Sequence, residues 1–154
     1  MRVLTIGLVA VVLGTGGSVA ADVTFAGVVL NTCTLIATPG VLALSSDGSK
    51  LSSAITGGVP ATVSIVSLGI NKITVNNPTL TASPSAYNPG GQVLKVSYQG
   101  LGLLASIVQA LTGLTTTFDI GILPITILQV NNEVSNSNGF PQGAYETTTV
   151  VTCS

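Results

Sequence analysis

The sequence predicts an all-β domain, folded as an antiparallel sandwich of about seven to nine short strands. Three observations carry this. Short runs of Val, Ile, Leu and Thr recur along the chain, and β-branched residues suit a pleated, half-buried surface. Clusters of Gly, Pro, Asn and Ser separate the runs and supply turns. Within several runs apolar and polar residues alternate, which gives a strand one buried face.

The first segment, "MRVLTIGLVAVVLGTGGSVAADV", has Arg2, an apolar run from Val3 to Leu13, and small residues ending in Val19-Ala20-Ala21. This is the layout of a secretory signal peptide over residues 1–21, with cleavage after Ala21 or the neighbouring Ala20. An uncleaved membrane anchor is the alternative. The run is short and Gly-rich for a span, and no basic flank follows it. Leu30-Asn31-Thr32-Cys33 has the outline of a lipidation site, but Thr32 is too large for the position before the cysteine. Residues 22–154 remain as one domain, long enough to bury a core, with no stable membrane span after signal removal.

Strands are expected at Val23–Leu30, Thr32–Ala37, Val41–Leu44, Ala61–Leu68, Lys72–Val75, Gln92–Tyr98, Thr116–Ile120, Ile125–Val130 and Tyr145–Cys153. Ile73 and Val75 oppose Lys72, Thr74 and Asn76, so that strand has one wet face. Ile125 and Ile127 oppose Thr126, Leu128 and Val130, the pattern of a strand buried on both faces. In "VSIVSL" the apolar face shifts from Val63 and Ile65 to Val66 and Leu68, which predicts a β-bulge or a crossing between sheets. Asp47-Gly48, Gly57-Gly58 and Gly90-Gly91 are turn pairs. Asn131–Gly139, "NNEVSNSNG", is expected as a polar surface loop.

One stretch departs from the pattern. Leu103, Leu104, Ile107, Val108 and Leu111 recur at helical spacing between Gly102 and Gly113, predicting one short helix over 102–112. The alternative is an apolar lid or a flap that contacts a partner.

Composition excludes several function classes. Only 6% of residues are charged. Without Arg2 the chain has Lys50, Lys72 and Lys95 against Asp22, Asp47, Asp119, Glu133 and Glu146, a net charge of about −2, so it cannot neutralise a row of phosphates and no nucleic-acid partner is expected. The chain has no His and no Trp, which removes imidazole-based triads and the usual zinc sites. Ser46, Ser49 and Lys50 in "SDGSK" fit a hairpin turn better than a Ser-Lys nucleophile. Asp119 and Glu146 are single acids on strands. Asp47 and Glu133 lack the dense spacing of a calcium loop. No enzyme, cofactor or metal site is expected.

Cys33 and Cys153 are the two cysteines. In an exported chain an even count most simply forms one disulfide, with free thiols or an intermolecular bridge as alternatives. Such a bridge would make the first and last strands neighbours and stabilise by roughly 4 to 5 kcal/mol through loop closure. In the final run Tyr145, Thr147, Thr149, Val151 and Cys153 share one face.

"VTFAGVVLNTC", Val23 to Cys33, resembles the first strand of chaperone-usher pilins and of spore coat U-like secreted proteins: an aromatic, a glycine and alternating valines lead to a cysteine. "FPQGAYETTTVVT" resembles their final strand, where Pro-x-Gly-x-Tyr precedes alternating Thr and Val. The resemblance covers the two ends of the chain. It implies an incomplete immunoglobulin-like, pilin-like sandwich in which Phe25, Gly27 and Val29 belong to the first strand and Gly143, Tyr145 and Val151 to the last. It also implies a bacterial periplasmic or surface location, and a periplasmic chaperone or neighbouring subunits as partners, joined by strand donation. The first strand starts close to the cleavage site and the second cysteine comes only at the end. Both features point to a terminal subunit or a self-completed monomer, with Leu101–Leu114 filling the groove internally. The function expected is a non-enzymatic structural or adhesion-type subunit. The alternative is a monomeric binding module for an apolar or carbohydrate ligand.

Overall fold

The computed structural model describes residues 32–154. The expected signal peptide and the expected strand Val23–Leu30, with Phe25, Gly27 and Val29, lie outside the described residues. Twelve strands follow: β1 (Thr32–Thr38), β2 (Ala43–Leu44), β3 (Lys50–Ser52), β4 (Ala61–Leu68), β5 (Asn71–Val75), β6 (Thr79–Ala82), β7 (Gln92–Gly100), β8 (Val108–Thr112), β9 (Thr116–Ile120), β10 (Leu123–Asn136), β11 (Glu146–Thr148) and β12 (Val151–Cys153). All the pairings are antiparallel.

β10 is the spine, at 14 residues. One of its edges pairs with β4 from Leu123 to Val130 and then with β3 from Glu133 to Ser135. Its other edge pairs with β7 from Leu128 to Asn136. β1 extends the sheet beyond β4, β8 beyond β7, and β2 beyond β3, giving seven strands. A second sheet has the order β12-β5-β9, and β11 pairs with β6. Val63, Ile65, Val96, Tyr98, Leu128 and Val130 of the large sheet pack with Ile73, Val75 and Ile120 of the three-stranded sheet to form one core. The fold is the predicted all-β, sandwich-like class, with twelve strands among the described residues where seven to nine were expected, because several are two- to five-residue pieces defined by their pairing.

β5 has the expected faces: Ile73 and Val75 are fully buried and Lys72 is exposed. Four expectations are corrected. The first concerns β4, which stays regular, pairing with β1 residue for residue from Thr62 to Leu68. Val63, Ile65 and Ser67 share its buried face, and Leu68 points outward. Ser67 is tolerated inside because the buried Asn71 side chain donates to its Oγ at 2.8 Å, and a paired buried hydroxyl escapes the cost of desolvation. The irregularity lies in β10, between Leu123 and Thr126.

Second, β10 is not buried on both faces. Thr126, Leu128 and Val130 are buried, while Ile125 is 76% and Ile127 38% exposed.

Third, no helix forms over 102–112. The chain makes one 3-10 turn at Gly102–Leu104 and then enters β8, where Tyr98 faces Gln109 and Gln99 faces Val108. Gly100 N donates to Ile107 O at 2.8 Å, closing a hairpin. The β7 edge thus offers a ladder that outweighs a short helix with two β-branched residues at its centre. The expected apolar stripe divides. Leu104 is buried and Ile107 packs on the core, whereas Leu103, Val108 and Leu111 face outward.

Fourth, the expected loop 131–139 is strand as far as Asn136. Val134 is fully buried, and the flanking amides find partners: Asn136 Nδ2 donates to Asn88 O at 2.8 Å. Composition signals a loop where Asn bonds to its own backbone, and here the Asn132 amide bonds across to β11 and the Asn136 amide to the loop at Asn88.

Candidate functional site

The last strand divides where the opposite strand does. β12 pairs with β5 and β11 with β6, and Asn76-Asn77-Pro78 joins β5 to β6. Proline offers no donor to continue a ladder. The predicted alternation survives the break: Tyr145, Thr147, Thr149, Val151 and Cys153 are half-buried, and the residues between them are exposed.

Cys33 of β1 and Cys153 of β12 form the disulfide, with Cα atoms 6.2 Å apart. The first described strand and the last are therefore neighbours, but they are not ladder partners. Cys33 lies opposite Ser67, and Cys153 opposite Ile73. The bridge ties the large sheet to the three-stranded sheet at one end.

Away from the bridge the two strands part and enclose a groove of about 540 Å³. One wall is Ala37–Leu42, the other is Tyr145–Thr149, and Val63, Val130 and Asn132 lie between them. The first wall is fixed by two hydrogen bonds between Val41 and Val59, 2.8 and 2.9 Å long. Gly40 permits that approach, since a Cβ there would meet Val59 O at 2.5 Å. The second wall is held from beneath. Asn132 Nδ2 donates to Thr147 Oγ1 at 3.0 Å, and Thr149 Oγ1 donates to Asn132 Oδ1 at 2.7 Å. The edge of β1 away from β4 and the edge of β11 away from β6 carry no strand among the described residues.

The Pro-x-Gly-x-Tyr motif anchors the start of this wall. Tyr145 OH donates to Pro141 O at 2.8 Å, folding the tyrosine back over its own turn. Its ring meets Tyr87 and Phe140 edge-on, with centroids 5.4 and 5.5 Å away. Burial and the neighbouring Tyr87 raise the Tyr145 pKa. Gly143 lies against Pro84, where a Cβ would come within 2.3 Å of Pro84 Cγ. Tyr145 lines the groove, whereas Gly143 and Val151 position the strand.

No protein-family model, curated protein or solved structure matches this chain.

Asp47, Lys50 and Glu133 have structural partners. The Asp47 carboxyl is lowered to about 2, first by a 2.5 Å hydrogen bond from Ser45 Oγ and then by the Ser49 hydroxyl and backbone N–H. Lys50 Nζ lies 3.7 Å from Glu133 Oε1. Asp119 faces Lys72 in the three-stranded sheet, and Glu146 faces Ala82 on β11. Among the described residues no three His, Cys, Asp or Glu side chains cluster as metal ligands, and no helix is long and apolar enough to cross a membrane.

Residues 101–114 do not line the groove, so the expected internal filling by this segment is not what the structure shows. The sequence patterns place Val41 and Leu42 on a strand and Asn132 in a polar loop, and assign neither Asn132 nor Pro39–Leu42 to this groove. Asn132 was obscured by its polar neighbours, although its parity with Leu128 and Val130 was legible.

Proposed function

We propose that this chain is an exported, non-enzymatic structural subunit, pilin-like or coat-like, which works by taking an extended segment of another protein into the groove between Ala37–Leu42 and Tyr145–Thr149. The observation that carries the reading is the pair of strand edges, on β1 and β11, that flank this groove and carry no strand among the described residues. An extended segment gains affinity from main-chain hydrogen bonds and specificity from alternate side chains in pockets. The disulfide supports the reading, since it holds the first described strand and the last together at one end while the groove separates them at the other. The likeness of both chain ends to pilins and spore coat U-like proteins supports an exported, immunoglobulin-like subunit.

The test is a synthetic ten-residue peptide of alternating Val and Thr, added to the mature protein and followed by amide hydrogen exchange. Slowed exchange at Thr38–Val41 and Thr147–Thr149 supports the proposal. Unchanged exchange there at saturating peptide overturns it. The groove volume also lies within the range of small-molecule sites, which favours the second reading, a monomeric binding module. A small ligand that co-purifies and blocks the peptide would establish that reading instead.

A further inference from the structure

The outer face of the large sheet carries an apolar surface distinct from the groove. Ile36 of β1 and Ile127 of β10 both stand opposite Ser64 of β4, so the three residues form one row across the sheet. Leu101 N donates to Ile127 O, which continues the row, and Leu101, Leu103, Ile125 and Ile127 line a shallow depression beside it. Ile36 is 63%, Leu68 55%, Leu103 67% and Ile125 76% exposed. Together these side chains present on the order of 500 Å² of apolar surface, at the upper end of what monomers leave contiguous.

Charge is segregated on the same face. β1, β4 and the Leu123–Val130 half of β10 contain no charged residue. Glu133, with Lys95 opposite it and Lys50 beside it, lies on the same side of β10, about 20 Å further along the strand. β10 also has the sequence of a strand covered on both faces, while the described residues cover only one.

We infer that this face is the contact for a second copy of the same chain, related by a two-fold axis and packed sheet on sheet. An isologous contact requires a patch complementary to itself, and an uncharged aliphatic sheet face meets that condition without placing like charges together. The patch also approaches the apolar share of a standard interface, which buries about 800 Å² per partner. The inference does not depend on the groove taking up a strand.

Sedimentation equilibrium of the mature chain tests it. A dimer at micromolar concentration is expected. The variant Ile125→Lys/Ile127→Lys should weaken it at least a hundredfold while its far-UV circular dichroism stays that of a folded chain, since both side chains are exposed. Ile36→Lys, on β1 across β4 from Ile127, should act in the same direction. A wild-type chain that stays monomeric at millimolar concentration overturns the inference, whether residues 22–31 or another protein then covers the face. A dimer untouched by these substitutions overturns it too. A dimer dissociated by the groove peptide would place the contact in the groove, overturning this inference while leaving the proposed function standing.

Discussion

Thr149 Oγ1 donates a 2.7 Å hydrogen bond to Asn132 Oδ1, fastening the last strand at its crossing point to the middle of the central strand. The same carboxamide donates to Thr147 Oγ1. Replacing Asn132 with Ala removes both bonds and leaves two half-buried hydroxyls without this partner. A loss of about 2 kcal/mol is expected. Urea unfolding measures it, and hydrogen exchange should report the fastest opening at Thr147–Thr149.

The disulfide spans 120 residues of sequence and joins two facing sheets. Loop-closure entropy assigns it roughly 4 to 5 kcal/mol. Cys33→Ala/Cys153→Ala, and the reduced wild type, should therefore unfold at clearly lower denaturant concentration. Equal midpoints for oxidised and reduced protein would contradict this.

Gly143 has φ of +154° and sits against Pro84. Gly143→Ala combines a disfavoured backbone with overpacking, and a destabilisation of about 1 to 3 kcal/mol is expected. Because the chain has no Trp, tyrosine fluorescence near the Tyr87, Phe140 and Tyr145 rings reports the change directly.

Asp47 titrates at about 2 in the folded chain, against 3.8 for a free aspartate. Between these values the unfolded chain binds more protons than the folded one, so stability falls with falling pH. The contribution is whole above about pH 4 and is lost as pH drops through about 2. Carboxyl carbon NMR should place the Asp47 midpoint near the lower value. Ser45→Ala should move it upward, since the Ser45 hydroxyl is the largest cause of the shift.

The architecture was legible in the sequence where one strand's pattern sufficed to define it. The faces of β5 follow from Ile73 and Val75, and the face of the last strand from Tyr145 through Cys153. The Asp47-Gly48 turn was legible, but its partner β3 is only three residues long, too short for an alternation to show. β6 and β8 were missed because each is a short strand defined by its pairing: Leu80 faces Thr147 and Gln109 faces Tyr98. The Asn131–Gly139 stretch was misread because a run of Asn and Ser has the same composition in a loop and in a strand whose amides are bonded across to neighbours.

By itself the sequence determined the all-β class, the even cysteine count that makes one disulfide the simplest outcome, and the inward side of the final strand, because β-propensity, cysteine count and period-two alternation are read without knowing which strands pair. Tertiary structure decided that residues 102–112 make a turn and an edge strand, that Ile125 and Ile127 face outward, and that Ala37–Leu42 and Tyr145–Thr149 enclose a groove. Each of these depends on which strand lies alongside, through hydrogen bonds and packing between residues far apart in the chain, and no local pattern encodes that choice.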